Sequence, residues 1–235
     1  MNLFSIVLDI LFPCLCLGCM RPLAGGTSTV CVLCRQQFRL PTAFLCPVCR
    51  GRIPAGSGLP PRIRLCHRDS DYILLPLARY AQPVAQALVR HLKFGRKFEI
   101  AGLFAEIAVE AVRAVNLKFD CVVPIPLSGA RLRERGFNQA GLIAEQISRL
   151  LAVTYCARAL LRTRDTKRQT DLKTWQERAR NLKDSFTVSQ PNSVRGKIVL
   201  LVDDVWTSGA TMGVAARALR KAGAQRVVGL VVARA

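Results

Sequence analysis

The run Val199–Met212, VLLVDDVWTSGATM, constrains this chain more than any other stretch. Four apolar residues without polar alternation predict a strand buried on both faces, the pattern of a parallel sheet covered by helices. Two acids, Asp203 and Asp204, close the strand, and a Thr/Ser/Gly loop then opens a helix. In open α/β sheets the ligand lies beyond the carboxyl ends of the strands, so the loop after Asp204 is where chemistry is expected. The hydroxyls of Thr207, Ser208 and Thr211 and the backbone N–H groups of the loop, those of Gly209 and Ala210 included, form with the helix N-terminus a cradle for phosphate. Both aspartates would repel that phosphate, so they are assigned to sugar hydroxyls or to bound magnesium. A metal site alone, or a response-regulator-like acidic cluster, would explain the acids but not the T-S-G-A-T loop.

Elsewhere from Tyr72 onward, strands alternate with helical stretches. Strands are predicted at 72–80, 121–126, 197–203 and 226–232, and helices at 83–93, 100–115, 138–151 and 209–221. Pro83 opens the first helix and Gly223 ends the last. This order predicts parallel strands joined by crossover helices, a doubly wound parallel sheet.

The first seventy residues differ in texture, being dense in Cys, Gly and Pro. Three C-x-x-C pairs, Cys16/Cys19, Cys31/Cys34 and Cys46/Cys49, are separated by eleven residues each, and Cys66 follows after a longer gap. Two-residue spacing lets both thiolates of a knuckle reach one tetrahedral zinc, and two knuckles complete a four-sulfur site. The first two pairs are assigned to one zinc. Cys46, Cys49 and Cys66 remain for a second, whose fourth ligand is Asp69 or His67 unless that site is vacant. Four thiolates leave no open coordination position, so the role is structural. Disulfides would need an oxidising compartment. Cys14 is a spare thiol, and Cys121 and Cys156 are expected in the core.

Lys and Arg outnumber Asp and Glu by 35 to 15, a net charge of +20 that favours phosphate-rich partners. Residues 1–75 carry eight basic and three acidic residues (+5), and 76–235 carry 27 and 12 (+15). The N-terminal MNLFSIVLDILFP is apolar, yet it lacks a basic start, includes Asp9 and meets Pro13 and cysteines where a leader would have a small-residue cleavage site. It reads as a short amphipathic helix with Leu3, Ile6, Val7, Ile10 and Leu11 on one face. No other run approaches the ~20 uncharged apolar residues of a membrane span. A cytoplasmic protein is expected.

A second element, VVPIPLSGARLRERGFNQA (Val122 to Ala140), begins as a strand, breaks at Pro124 and Pro126, and presents Arg131, Arg133 and Arg135 in a basic loop before a glycine and a helix. The Val199–Met212 run resembles the 5-phosphoribosyl-1-diphosphate (PRPP) signature of type I phosphoribosyltransferases. With the cysteine pairs, LKFGR (Leu92 to Arg96), the arginine element and the RTRDTKRQTDL…RxxN segment (Arg162 to Asn181), the whole chain resembles the ComF family. Trp206 replaces a smaller residue common in the signature, and Asp69 stands where the family's second ribbon usually supplies a cysteine.

The resemblance implies a zinc-ribbon module with an N-terminal helix at 1–70 and a phosphoribosyltransferase-like domain at 71–235. It also implies PRPP and Mg²⁺ as ligands and a role in handling single-stranded DNA during competence. Asp203 and Asp204 would hold the ribose, Thr207 to Thr211 the 5-phosphate, and Arg131 and Arg135 the pyrophosphate. His91, Lys93, Arg164 and Lys167 are candidates to close over the site. Two functions follow: a phosphoribosyltransferase of unassigned acceptor, or a nucleic-acid-binding module that keeps the cradle without turnover. Phe94, Phe98, Phe137 and Trp175 are the aromatic residues expected to be exposed to bases.

Overall fold

The computed structural model describes residues 13–23, 29–55, 70–163 and 185–235. The expected N-terminal helix, Cys66, His67, Asp69, Arg164, Lys167 and Trp175 lie outside them. In chain order the elements are α1 (Val32–Arg35), β1 (Ala43–Leu45), β2 (Arg52–Pro54), β3 (Ile73–Arg79), α2 (Pro83–Phe94), α3 (Glu99–Ala114), β4 (Cys121–Pro124) and α4 (Gly129–Arg135). They continue with α5 (Gln139–Leu151), β5 (Thr154–Tyr155), β6 (Leu160–Arg162), β7 (Phe186–Val188), β8 (Ile198–Trp206), α6 (Ala210–Lys221) and β9 (Arg226–Arg234).

Seven strands form one sheet in the order β2-β1-β3-β9-β8-β4-β5. From β3 to β5 every pairing is parallel, so the expected doubly wound sheet is the framework. β8 lies between β9 and β4, which is why Val199, Leu200, Leu201 and Val202 are all buried. β8 also runs further than its apolar stretch predicts, because β9 keeps pairing with it from Asp203↔Val231 to Trp206↔Arg234. Both aspartates are thus part of the strand and not of the loop beyond it.

Side chains alternate across the sheet and build two cores. Ile73, Leu75, Leu200, Val202, Val228 and Leu230 face one side, covered by α2, α3 and α5. Leu74, Val199, Leu201 and Val231 face the other, covered by α6 and the small β6–β7 pair. α3 presents ten buried residues, four of them alanines (101, 105, 108 and 111), so its backbone can approach the sheet closely.

The cysteine-rich segment joins the same architecture. β1 and β2 form a hairpin, and β1 adds antiparallel to β3 through Leu45↔Leu74. Strands of three residues have too little length to show alternation, and the sequence reading had none there. Phe38 packs edge-on against Phe104 of α3 at 6.0 Å, and Arg35 reaches Glu106 and Glu110 on the same helix. Cys16 and Cys34 belong to the α2/α3 core.

The arginine element is corrected. Residues 129–135, expected as a basic loop, are a helix: Ser128 Oγ accepts the N–H of Arg131 at 3.3 Å as N-cap, and Gly136, at φ 79°, turns the chain out. Among the described residues no helix is long and apolar enough to cross a membrane.

Candidate phosphate site and cysteine cluster

The end of β8 and the start of α6 enclose a polar pocket lined by Asp203 and residues 205–212. Gly209 is the N-cap of α6 and sits at φ 79°, the left-handed region that a side chain disfavours. A Cβ there would meet Trp206 Nε1 at 2.8 Å, so both backbone and space select glycine. Lacking a side chain, Gly209 itself offers no cap to α6, whose positive end lines the pocket. Ser208 Oγ accepts the N–H of Ala210 at 3.4 Å, which folds the loop back on the helix start.

Asp203 and Asp204 differ in environment. Asp203 Oδ1 accepts the N–H of Asp204 at 2.8 Å. Burial, then the charge of Asp204, pushes its carboxyl from 3.8 up to about 7, against the pull of that N–H, Lys93 and Arg162. Asp204 instead takes Lys93 Nζ at 2.8 Å, with both side chains mostly buried (19 % and 13 % exposed). Lys93 is on the last turn of α2, so this ion pair fastens α2 to the acid pair.

Arg135, in the last turn of α4, places its guanidinium 5.2 Å from the centre of the Phe94 ring. Burial lowers its pKa, the charge of Asp204 raises it and that of Arg131 lowers it again. Its Nε is buried without a hydrogen-bond partner among the described residues. Arg135 and Lys93 therefore share the electrostatic field of the acid pair, and Arg131 lies in that of Arg135. Phe94 is 67 % and Phe98 48 % exposed; Phe98 meets Phe137 edge-on at 4.9 Å. His91 is partly buried in α2, where its carbonyl accepts the N–H of Gly95.

Three residues near the acid pair had no site role in the sequence reading. Arg162 heads the RTRDTK segment, stacks 5.5 Å from the Phe186 ring and pulls Asp203 toward its charged form. Tyr72 Oη accepts the buried Trp206 Nε1–H at 2.9 Å, and burial raises the Tyr72 hydroxyl to about 12. Arg50 lies 5.6 Å over the Trp206 ring. Trp206, the departure from the signature, is thus the brace of the loop. Arg162 was legible as part of a motif; Tyr72 and Arg50 lie over 130 residues from Trp206, and no local pattern joins them.

The cysteine cluster assembles as the spacing predicts. The Sγ atoms of Cys16, Cys19, Cys31 and Cys34 all lie within 4.8 Å of one another, close enough to hold a metal. Burial opposes ionisation of Cys16, but N–H groups of Cys31, Gly18 and Cys19 outweigh it and bring the thiol to about 6. Cys31 N–H lies 3.2 Å and Gly18 N–H 3.4 Å from its sulfur. Cys34 is pushed well up, first by burial and then by the other three thiols. One thiolate is stabilised and further ones repel, the charge imbalance that a divalent cation removes.

Cys46 and Cys49 form a second knuckle with the backbone of the first. Cys16 N–H reaches Arg21 O and Met20 N–H reaches Cys16 O; correspondingly, Cys46 N–H reaches Gly51 O and Arg50 N–H reaches Cys46 O. Met20 at φ 60° and Arg50 at φ 59° occupy matching left-handed positions. Cys46 is buried and Cys49 exposed; their expected companion Cys66 is outside the described residues. Cys121 and Cys156 are buried, as expected, both with Sγ near Ser193 O.

A parallel sheet with an acid pair and a Thr/Ser/Gly loop at one strand's carboxyl end fits the type I phosphoribosyltransferase fold. The profile of the phosphoribosyl transferase domain matches residues 95–234. The chain is 35 % identical over 221 residues to the DNA utilization protein YhgH of Escherichia coli K12, covering 92 % of this chain and 94 % of that protein. It is 29 % identical over 215 residues to competence protein F of Haemophilus influenzae (84 % and 93 % covered) and 31 % identical over 207 to competence protein ComFC of Bacillus subtilis (83 % and 79 %). The chain belongs to the ComF family of proteins with a type I phosphoribosyltransferase domain.

Proposed function

We propose that this protein binds PRPP with Mg²⁺ at the end of β8 and transfers its phosphoribosyl group to an acceptor. The supporting observation is the acid pair itself: two adjacent carboxylates, one fastened to Lys93 at 2.8 Å and one pushed up to about 7, at the head of a loop whose glycine requires a positive φ. Such crowding of acids destabilises the free protein and is explained by a ligand that uses them. Asp203 and Asp204 accept hydrogen bonds from the ribose hydroxyls. Thr207, Ser208, Gly209, Ala210 and Thr211 surround the 5-phosphate with N–H and hydroxyl donors.

In the transfer, the bond from C1 of the ribose to the pyrophosphate oxygen breaks and a bond from the acceptor atom to C1 forms. Arg131 and Arg135 meet the negative charge that develops on the departing pyrophosphate, with Arg135 oriented by Phe94. Mg²⁺ bound with the substrate supplies further neutralisation of the diphosphate. The Cys16/Cys19/Cys31/Cys34 cluster holds a structural zinc, and the Cys46/Cys49 knuckle with Cys66 takes part in a second. Residues 1–70 are the zinc module and 71–235 the transferase domain, in a protein of the reducing cytoplasm.

Calorimetric titration of PRPP with Mg²⁺ into the wild type and an Asp203→Asn/Asp204→Asn variant, at two salt concentrations, tests this reading. Binding to the wild type that disappears in the variant is expected; no binding to either overturns it. A second reading, a nucleic-acid-binding module without turnover, draws on the +20 charge and on relatives named for DNA utilization and competence. Single-stranded DNA binding in that case survives the double substitution and falls steeply with salt.

A further inference from the structure

Three basic side chains near the sheet have a partner: Lys93 has Asp204, Arg217 has Asp71, and Arg220 reaches the carbonyls of Ala224 and Gln225. On the β3 and β9 side of the carboxyl edge, three further arginines have no carboxylate partner among the described residues. Arg79 closes β3 and Arg234 closes β9, and the two are register partners on adjacent parallel strands. Neighbouring strands lie about 4.8 Å apart, so two like charges are placed side by side at the sheet end, an arrangement that is destabilising unless an anion joins them.

Arg234 is in turn the register partner of Trp206, and the guanidinium of Arg50 lies over the Trp206 ring. Arg50 is held there by a left-handed backbone that the Cys46–Cys49 knuckle imposes. Burial first, then the charges of Arg79 and Arg50, lowers the pKa of Arg234, and no acid opposes them. Arg50 and Arg79 are exposed. The strip therefore continues the ligand edge away from the 5-phosphate loop, on the β9 and β3 side, opposite to Arg131 and Arg135.

We propose that Arg50, Arg79 and Arg234 form a second phosphate-binding strip, which receives a phosphate of the molecule brought to the acid pair. That phosphate belongs either to a nucleotide or to a nucleic-acid strand. Guanidinium groups suit it because their paired N–H donors match phosphate oxygens and keep their charge. Its role as an acceptor subsite rests on the PRPP reading; the binding of phosphate does not.

The test is titration of thymidine monophosphate, of a short oligothymidylate and of PRPP with Mg²⁺ into the full chain, its Arg79→Gln/Arg234→Gln variant and its Arg50→Met variant. Arg50→Met puts at this left-handed position the residue that already occupies it at Met20 of the first knuckle. The expected result is a loss of at least about tenfold in affinity for the phosphate ligand in the double variant. For the oligomer, the log–log salt slope also falls by about one per arginine removed. PRPP affinity stays unchanged in the double variant.

Loss for the monophosphate assigns the strip to a nucleotide; loss for the oligomer alone assigns it to a strand. Wild-type affinity and salt slope in both variants, or no binding of either phosphate ligand to the wild type, overturns the proposal. So does a parallel loss of PRPP in the double variant with its thermal unfolding unchanged, because the strip would then belong to the PRPP site. If PRPP fails to bind the wild type while the oligomer discriminates the variants, the phosphoribosyl reading falls and the strip stands.

Discussion

The cysteine cluster and the β8 loop, proposed as a phosphate cradle, are held in opposite ways. In the cluster, the anion is part of the chain: Cys16 Sγ takes the N–H groups of Cys31 and Gly18, and three more thiols crowd around it. In the loop, the donors are part of the chain, and the anion is to come. The cluster lies in a segment with few long elements, and ionising more than one of its thiols brings a repulsion that a cation would offset. The loop hangs between β8 and α6, whose place is set by β9, β4 and a buried core, so sheet pairing and packing fix its ends. A site built on sheet register takes its shape from pairing and packing, whereas one built from like charges depends on what it binds.

The largest expected effect breaks the first half of that contrast. A Cys16→Ser variant should lose one zinc per chain by atomic absorption. Its urea unfolding should show a loss of about 4 kcal/mol or more, while the PRPP affinity of the protein that remains folded changes little. Equal zinc content in variant and wild type would show that these sulfurs do not form the site.

Gly209→Ala attacks the second half. It forces a side chain to φ 79° and against Trp206 Nε1, so about 2–3 kcal/mol of stability and at least tenfold in PRPP affinity should be lost, with zinc content unchanged. Denaturant unfolding and calorimetry read the two effects. A milder probe of the same brace is Tyr72→Phe, which leaves the buried Trp206 N–H without its acceptor and should cost about 1–2 kcal/mol. An unchanged unfolding midpoint would show that the indole does not depend on that bond.

The smallest effect concerns pH. The Asp203 carboxyl is raised from 3.8 to about 7, so its stabilising contribution is complete below about pH 4 and is lost as pH rises through 7. Asp203→Asn, which cannot ionise, should raise the melting temperature by about 2–4 °C at pH 8 and converge on the wild type near pH 4. Wild-type PRPP affinity should weaken as pH falls below 7, since the ionised form is the one that accepts two ribose hydroxyls. A flat melting difference across pH would show that Asp203 is not shifted in the folded protein.

Much of the site was legible locally. Val199 to Leu201 could only be a buried strand, and the step to T-S-G-A-T could only be a strand-to-helix loop, because both signals arise from neighbouring residues. The C-x-x-C spacing likewise determines its knuckles, as the matching hydrogen bonds at Cys16–Arg21 and Cys46–Gly51 show. The arginine element misled because Pro124 and Pro126 argue for loop, whereas Ser128 caps a helix two residues later. Arg135 is brought into the field of Asp204 by that helix, which a loop reading does not provide.

The sequence by itself determined the period of the strands and helices, the acid pair, the phosphate loop and the knuckle backbones. Each depends on spacing within about a turn or a strand, where chain geometry leaves few alternatives. The tertiary structure alone decided that Lys93 meets Asp204, that Tyr72 and Arg50 grip Trp206, and that Arg79, Arg234 and Trp206 stand level at one edge. Those contacts join positions far apart in the chain through parallel register. Register follows from packing the whole sheet between its two helical layers, not from any segment of it.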